Sequence, residues 1–197
     1  MSIKTLYLGC CLCLISMKLY SQVYINFATG VQQVTFTDEQ WPGSNPRHQG
    51  YSFGFDVIVP DGSYFFMPGM SFQKISVMPV EFDLFKPYKE FTDFKVIKLP
   101  LRIGSYLFKN RFADLRLQGG IAGNFLLGVD RSSPRLDEDF NGIFAGLLAG
   151  ASVRILFLTL GLDYEHGISR IFNPKSVSGV EDKSKLNAIS VSLGVQF

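Results

Sequence analysis

Ile189, Val191, Leu193, Val195 and Phe197 alternate with Ala188, Ser190, Ser192, Gly194 and Gln196 in the closing stretch NAISVSLGVQF. A period of two held over that length specifies a β-strand with one bulky apolar face and one face of small or polar groups. The pattern recurs in about eight segments. Val23, Ile25 and Phe27 alternate with Tyr24, Asn26 and Ala28 in the first, and Tyr51, Phe53, Phe55, Val57 and Val59 with Ser52, Gly54 and Asp56 in the second. A third runs from about 63 to 76. Ile97, Leu99, Leu101 and Ile103 oppose Lys98, Pro100, Arg102 and Gly104 in the fourth, and Leu115, Leu117 and Ile121 oppose Arg116, Gln118, Gly120, Ala122 and Asn124 in the fifth. The sixth and seventh lie within 142–167, and the eighth is the terminal stretch.

The links between these segments are long and short in turn. Polar links are expected over 33–50, 77–92, 128–141 and 171–185. Tight turns are expected at Pro60-Asp61-Gly62, at Lys109-Asn110-Arg111 and near Val153-Arg154. In an up-and-down meander this order puts every short turn and both termini at one end and every long link at the other. That is the plan of a bacterial outer-membrane barrel, with short periplasmic turns and longer external loops. The expected fold is all-β: an eight-stranded antiparallel up-and-down transmembrane β-barrel.

Residues 143–162 compete with this reading, being almost wholly apolar and carrying Gly142, Gly146 and Gly150 at helix-packing spacing. As one transmembrane helix they would place Arg154 near the bilayer centre, at a cost of about 2.5–3.5 kcal/mol. Split at Arg154 they give two strands of barrel-spanning length, which is the reading preferred here.

Alternation does not say which face meets lipid; the non-bulky face does. It is built from Ala28, Gly30, Gly54, Gly120, Ala122, Gly146, Gly150, Gly161, Ser190, Ser192 and Gly194, whereas a solvated exterior would be dense in Lys and Glu. Small side chains suit the lumen of an eight-stranded barrel, which has room only for its own side chains. The charges on that face, Asp56, Lys98, Arg102, Arg116, Asp163 and Glu165, are of both signs and are expected to form a lumenal polar network, because unpaired charge there is costly. Closure by the terminal strand onto the first removes every sheet edge, as lipid demands.

The amino-terminus reads as a secretory signal peptide over 1–21, with Lys4, an apolar run from Leu6 to Ser16 and small or polar residues up to a cleavage site near Ser21. A membrane anchor would need a longer run, and a lipoprotein site at Cys10 would leave almost no apolar run before it. The remaining 22–197 form one barrel domain. All three cysteines, Cys10, Cys11 and Cys13, lie in the leader, so the mature chain has no disulfide, thiolate metal site or cysteine nucleophile. The 19 basic residues lose Lys4 and Lys18 and then match the 17 acidic ones, so no basic excess points to nucleic acid.

KLPLRIGSYLF (98–108), LRLQGGIAGNFLLG (115–128), YEHGISRI (164–171) and SVSLGVQF (190–197) together resemble the PorT-like outer-membrane β-barrel proteins of Bacteroidota. The resemblance covers the mature chain at the level of strand order. It implies a barrel in the outer membrane of a Gram-negative envelope; the secretion and gliding role behind the family's name does not carry over with it. Phe197 resembles the terminal recognition signal read by barrel-assembly machinery. Pro100 fits the family pattern, while Pro68 removes a ladder donor and marks a candidate bulge.

Catalytic and metal-binding patterns are sparse. Asp163, Glu165 and His166 are close in sequence, but on a strand Asp163 and Glu165 share a face and His166 points the other way. A lipid-facing hydrolase pairing His166 with Ser169 lacks a nucleophile-elbow context. LDEDFNG (136–142) does not match calcium-loop spacing. Trp41 and Pro42 offer a partner contact in the first long link. No cofactor is expected. The expected partners are outer-membrane lipid, assembly machinery and an envelope protein held by the external loops. Three functions remain: a non-enzymatic membrane anchor with binding loops, a lipid-modifying barrel enzyme, and a secreted soluble barrel binding an apolar ligand.

Overall fold

In the computed structural model, residues 23–37, 48–77, 92–130, 142–169 and 185–197 are described, and they form a single antiparallel sheet closed on itself. Its strands are β1 (Tyr24–Thr37), β2 (His48–Asp61), β3 (Tyr64–Val77), β4 (Thr92–Lys109), β5 (Ala113–Asp130), β6 (Ile143–Ile155), β7 (Leu158–Gly167) and β8 (Lys185–Gln196). Each pairs with its sequence neighbours, and β8 returns to β1, where Ala28 faces Gly54 on one side and Gly194 on the other. The backbone past β8 is also engaged: the N–H of Phe197 donates to Ile25 O at 2.9 Å and that of Ile25 to Phe197 O at 3.0 Å. Every strand therefore has a ladder on both edges, the condition for crossing lipid. Residues 143–162 lie in β6, the turn and the start of β7, so the transmembrane-helix alternative is excluded for this segment.

The bulky row faces outward. Phe53 is 63% exposed, Ile103 68% and Leu193 57%, while their chain neighbours turn into the lumen. On β4 the outward row from Ile97 to Leu107 contains one polar residue, Ser105. Some 11 residues at ~3.3 Å each, tilted by ~45°, rise roughly 25 Å, the height of an outer-membrane apolar band. An apolar surface of this extent all round a barrel is incompatible with water and fits hydrocarbon. The chain is an integral outer-membrane barrel, with the short turns at 62–63, 110–112 and 156–157 on the periplasmic side and the four longer links on the other.

Toward the long-link end the alternation reverses. Val34, Ile75, Phe94, Phe144, Leu186 and Ala188 point inward and are buried in one cluster with Val96. Outward beside them on β1, β3, β4 and β8 stand Gln33, Thr35, Lys74, Ser76, Asp93, Lys95, Lys185 and Asn187, while Ile143 next to Phe144 and Ile189 next to Ala188 keep an apolar residue outside. The expectation of a lumen filled throughout by small and ionic groups therefore fails at this end, and it fails again toward the short turns, where Ile58, Phe65 and Met67 are buried together inside with Tyr24 and Tyr106 against them. At the long-link end the strands have left the bilayer: water is outside, the lumen becomes the dry side, and the barrel continues in the inside-out sense of a soluble one. The same reversal explains why parts of 33–50, 77–92 and 128–141, expected as links, belong to strands.

Two other expectations are corrected. The β6–β7 turn is at Leu156 and Phe157, not near Val153-Arg154, and Arg154 lies on β6 with its side chain in the ionic layer. Pro68 makes no bulge. The β2–β3 ladder lapses between Asp56↔Gly69 and Val59↔Phe66, and the β3–β4 ladder between Pro68↔Leu101 and Ser71↔Lys98, but each resumes in the same register. The bulges are on the β4–β5 hairpin, between Lys95 and Val96 and between Tyr106 and Phe108. The second leaves both Leu107 and Phe108 facing out.

Candidate functional site

The lumen between the apolar cluster and the periplasmic end is held by ion pairs that span it. Lys98 on β4 reaches Glu165 on β7, Nζ to Oε2 2.5 Å, and both are buried. Asn124 Nδ2 on β5 donates to the other oxygen, Oε1, at 2.7 Å. Two pleats further down β4, the Arg102 guanidinium bonds Asp56 on β2 and lies 3.7 Å from Asp163 Oδ2 on β7. Gln118 Nε2 on β5 donates to Asp163 Oδ1 at 2.7 Å. Nearer the periplasm, Asp114 sits between two arginines. Arg154 Nε donates to its Oδ2 at 2.5 Å and Arg116 Nη2 to the same oxygen at 3.0 Å. Arg116 Nε also lies 2.6 Å from Asp114 Oδ1, an ionic contact poorly aligned as a hydrogen bond. Arg116 Nη2 donates to Gln196 Oε1 at 2.7 Å, tying β5 to the closing strand.

The structure thus brings together Asp56, Arg102 and Asp163 in one group and Lys98 and Glu165 in another, and places Arg116 in a third with Asp114 and Arg154. Sequence reading missed the last two. Asp114 had a usable signal, since it stands two residues before Arg116 on the same face; Arg154 was hidden by its assignment to a turn. Among the described residues the three groups contain four carboxylates and four cations, so the lumen is neutral in sum. Removing one partner of such a pair strands a buried charge at a cost of several kcal/mol.

The glycines of the lumenal row make room for the carboxylates. A Cβ at Gly146 would lie 2.5 Å from Glu165 Oε1, and at Gly69 and Gly150 it would collide with the carboxyl oxygens of Asp56 and Asp163. A cavity of about 80 Å³ remains beside the Arg102 group, lined among others by Asp56, Lys98, Ser71, Asp163 and Ser192. That is room for several ordered waters, since one needs only about 10–15 Å³ of such space. Its size suits hydration of the ion pairs and not a substrate path.

The outer surface holds the candidate hydrolase residue. His166 faces outward, opposite Asn187, while Glu165 is committed to Lys98 in the lumen. The Ser169 hydroxyl accepts the Ala145 N–H at 2.6 Å. Among the described residues these contacts assemble no nucleophile–base–acid relay around His166. Among the described residues no group of three or more His, Cys, Asp or Glu side chains is arranged to hold a metal. Trp41, Pro42 and most of 136–142 lie outside the described residues, as do residues 1–21, for which a signal peptide is expected. Phe197 is 74% exposed at the periplasmic rim.

No family model matches the chain, and no curated protein matches it. Solved structures do. Neisserial surface protein A (NspA) is 15% identical, covering 90% of this chain and 97% of that one, with a TM-score of 0.53. The outer membrane protein OprG from Pseudomonas aeruginosa is 13% identical, covering 89% and 95%, with a TM-score of 0.52. The outer membrane enzyme PagL is 8% identical, covering 87% and 98%, with a TM-score of 0.47. At these identities NspA and OprG support the fold, a closed outer-membrane barrel.

Proposed function

We propose that this protein is a non-enzymatic outer-membrane anchor: a rigid barrel that presents four external links to a partner in the cell envelope. The carrying observation is the lumen. It is closed by an apolar cluster at the outer end and stapled across by Lys98–Glu165 and Asp56–Arg102–Asp163 below. A tube filled in this way suits holding a scaffold rather than passing a solute. Links on rigid scaffolds are where recognition residues concentrate. The relation to PorT-like barrels belongs to the same proposal, supported by the fact that two of the resembling segments carry the network: KLPLRIGSYLF supplies Lys98 and Arg102, and LRLQGGIAGNFLLG supplies Arg116, Gln118 and Asn124. Phe197 is proposed as the contact for barrel-assembly machinery.

The test is cross-linking mass spectrometry on intact cells, with photoreactive residues placed in 38–47, 78–91, 131–141 and 170–184. One envelope protein captured reproducibly from these positions, and lost when the links are shortened, supports the anchor reading. Hydrolysis of labelled outer-membrane lipid that disappears in His166→Ala would replace it with the enzyme reading.

A further inference from the structure

Two of the periplasmic turns have two residues each, and they are built oppositely. In the β2–β3 turn Gly62 takes a φ of 60° beside exposed Asp61 and Ser63. That is ordinary hairpin chemistry, because glycine adopts the left-handed region without penalty. In the β6–β7 turn the left-handed position belongs to Leu156, at a φ of 57°, followed by Phe157. A leucine there is strained, and it persists only because its surroundings fix it. The Leu156 N–H donates to Phe112 O at 2.6 Å, Arg154 Nη1 donates to Leu156 O at 2.7 Å, and the Gln196 N–H donates to Phe157 O at 2.7 Å. The backbone is held from three sides, while Leu156 and Phe157 remain 55% and 54% exposed.

The geometry points to the β6–β7 turn as an insertion into the periplasmic leaflet, with Leu156 and Phe157 in the acyl–headgroup boundary of the phospholipid. Continuity with the lipid-facing belt identifies the occupant. Ile155, Leu156, Phe157 and Leu158 are all exposed, so the apolar row passes round the tip without a polar break. The other two turns do break it, with Asp61 and Ser63 in one and Lys109, Asn110 and Arg111 in the other. Beside the tip Phe112 is 61% exposed, and the Arg111 guanidinium lies 6.0 Å from its ring. Aromatic rings with adjacent cations match the level of lipid phosphates, where long basic side chains reach charge while their stems stay in apolar surroundings. The barrel base is therefore asymmetric: its β6–β7 side sits in lipid and its β2–β3 turn in water.

The experiment places one indole at each turn in a Trp41→Phe background, which removes the only native tryptophan. Phe157→Trp and Ser63→Trp proteins are reconstituted in phosphatidylethanolamine–phosphatidylglycerol vesicles, and folding is checked by heat-modifiability. Acyl-chain-brominated lipid is expected to quench Phe157→Trp several-fold more than Ser63→Trp, and acrylamide on both sides of the membrane to do the reverse. Equal acrylamide quenching at the two turns overturns the inference. So does an indole shielded from acrylamide yet untouched by bromolipid, which would indicate a protein contact. Phe112→Trp serves as reporter, with the same outcomes, if Phe157→Trp does not fold.

Discussion

Lys98 Nζ on β4 and Glu165 Oε2 on β7 meet 2.5 Å apart across the lumen, joining strands that are not neighbours in the sheet. Asn124 holds the second carboxylate oxygen. Replacing Glu165 by Gln leaves the ammonium buried without a counter-charge. Glu165→Gln should lose about 3–5 kcal/mol of unfolding free energy, and the double replacement Lys98→Met/Glu165→Leu should recover much of that loss. Urea titration of the refolded barrel in detergent micelles measures both.

Lumenal and lipid-facing glycines should respond in opposite ways to one added methyl. At Gly150 a Cβ meets the Asp163 carboxylate, whereas at Gly123, on the outer face, the nearest atom is Phe125 Cε2 at 3.5 Å. Gly150→Ala should destabilise by about 1–3 kcal/mol through overpacking. Gly123→Ala should be neutral or slightly stabilising, because it fills open space and loses backbone entropy in the unfolded chain. Their denaturation midpoints compared at equal slope decide this.

The reversal of alternation marks the outer edge of the membrane, and charge scanning should find it. Leu101→Arg puts a cation in mid-belt and should cost about 2–4 kcal/mol, while Ser76→Arg, beyond the reversal, should fall within about 1 kcal/mol of the parent. Similar costs at both sites in lipid vesicles would place the belt elsewhere.

Asp93, outside the membrane span, should give a small pH signature. Hydrogen bonds from Lys74 and then Ser76 hold its carboxyl below the usual carboxylate range; its Oδ2 lies 2.7 Å from Lys74 Nζ and its Oδ1 2.7 Å from Ser76 Oγ. A lowered folded value means the stabilisation is complete above the unfolded value, about 3.9, and is lost as pH falls through the folded one. Lys74→Ala should therefore be less stable than the parent by no more than about 1 kcal/mol near pH 7, the size of a surface pair, and should converge with it in strong acid.

Phe197 is exposed and contributes mainly backbone contacts to Ile25. Phe197→Ala should leave the refolded barrel within about 0.5 kcal/mol of the parent, as surface changes do. It should nevertheless lower the folded, heat-shifting fraction in cells if the residue serves recognition during assembly. A large loss in vitro would make its role structural instead.

The strands and their order were legible because alternation and link length are local properties. A period of two at Ile189–Phe197 or Ile97–Ile103 fixes a two-faced strand whatever it packs against. The row of Gly, Ala and Ser likewise identified the lumen, since only a closed tube has so little room. Local pattern failed where the solvent changed. Gln33 looks like a link residue to a rule that expects apolar groups outside, and the same rule has no place for Lys74 and Asp93 near the strand ends. They are strand residues facing water above the membrane, with Val34, Ile75 and Phe94 filling the tube beside them.

Sequence alone determined the eight-stranded up-and-down plan, from the number of alternating segments and the order of link lengths, and parity along each strand placed most of the ionic side chains in the lumen. It did not determine who pairs with whom. That Lys98 takes Glu165 while Arg102 takes Asp56 and Asp163, and that Asp114 joins Arg154 to Arg116, depends on the stagger of strands around the barrel. The same holds for Leu156 in a left-handed turn, which its own residue type disfavours and which contacts from the β4–β5 turn, β6 and β8 impose. Those choices are made by distances between residues far apart in the chain, and only the closed barrel sets them.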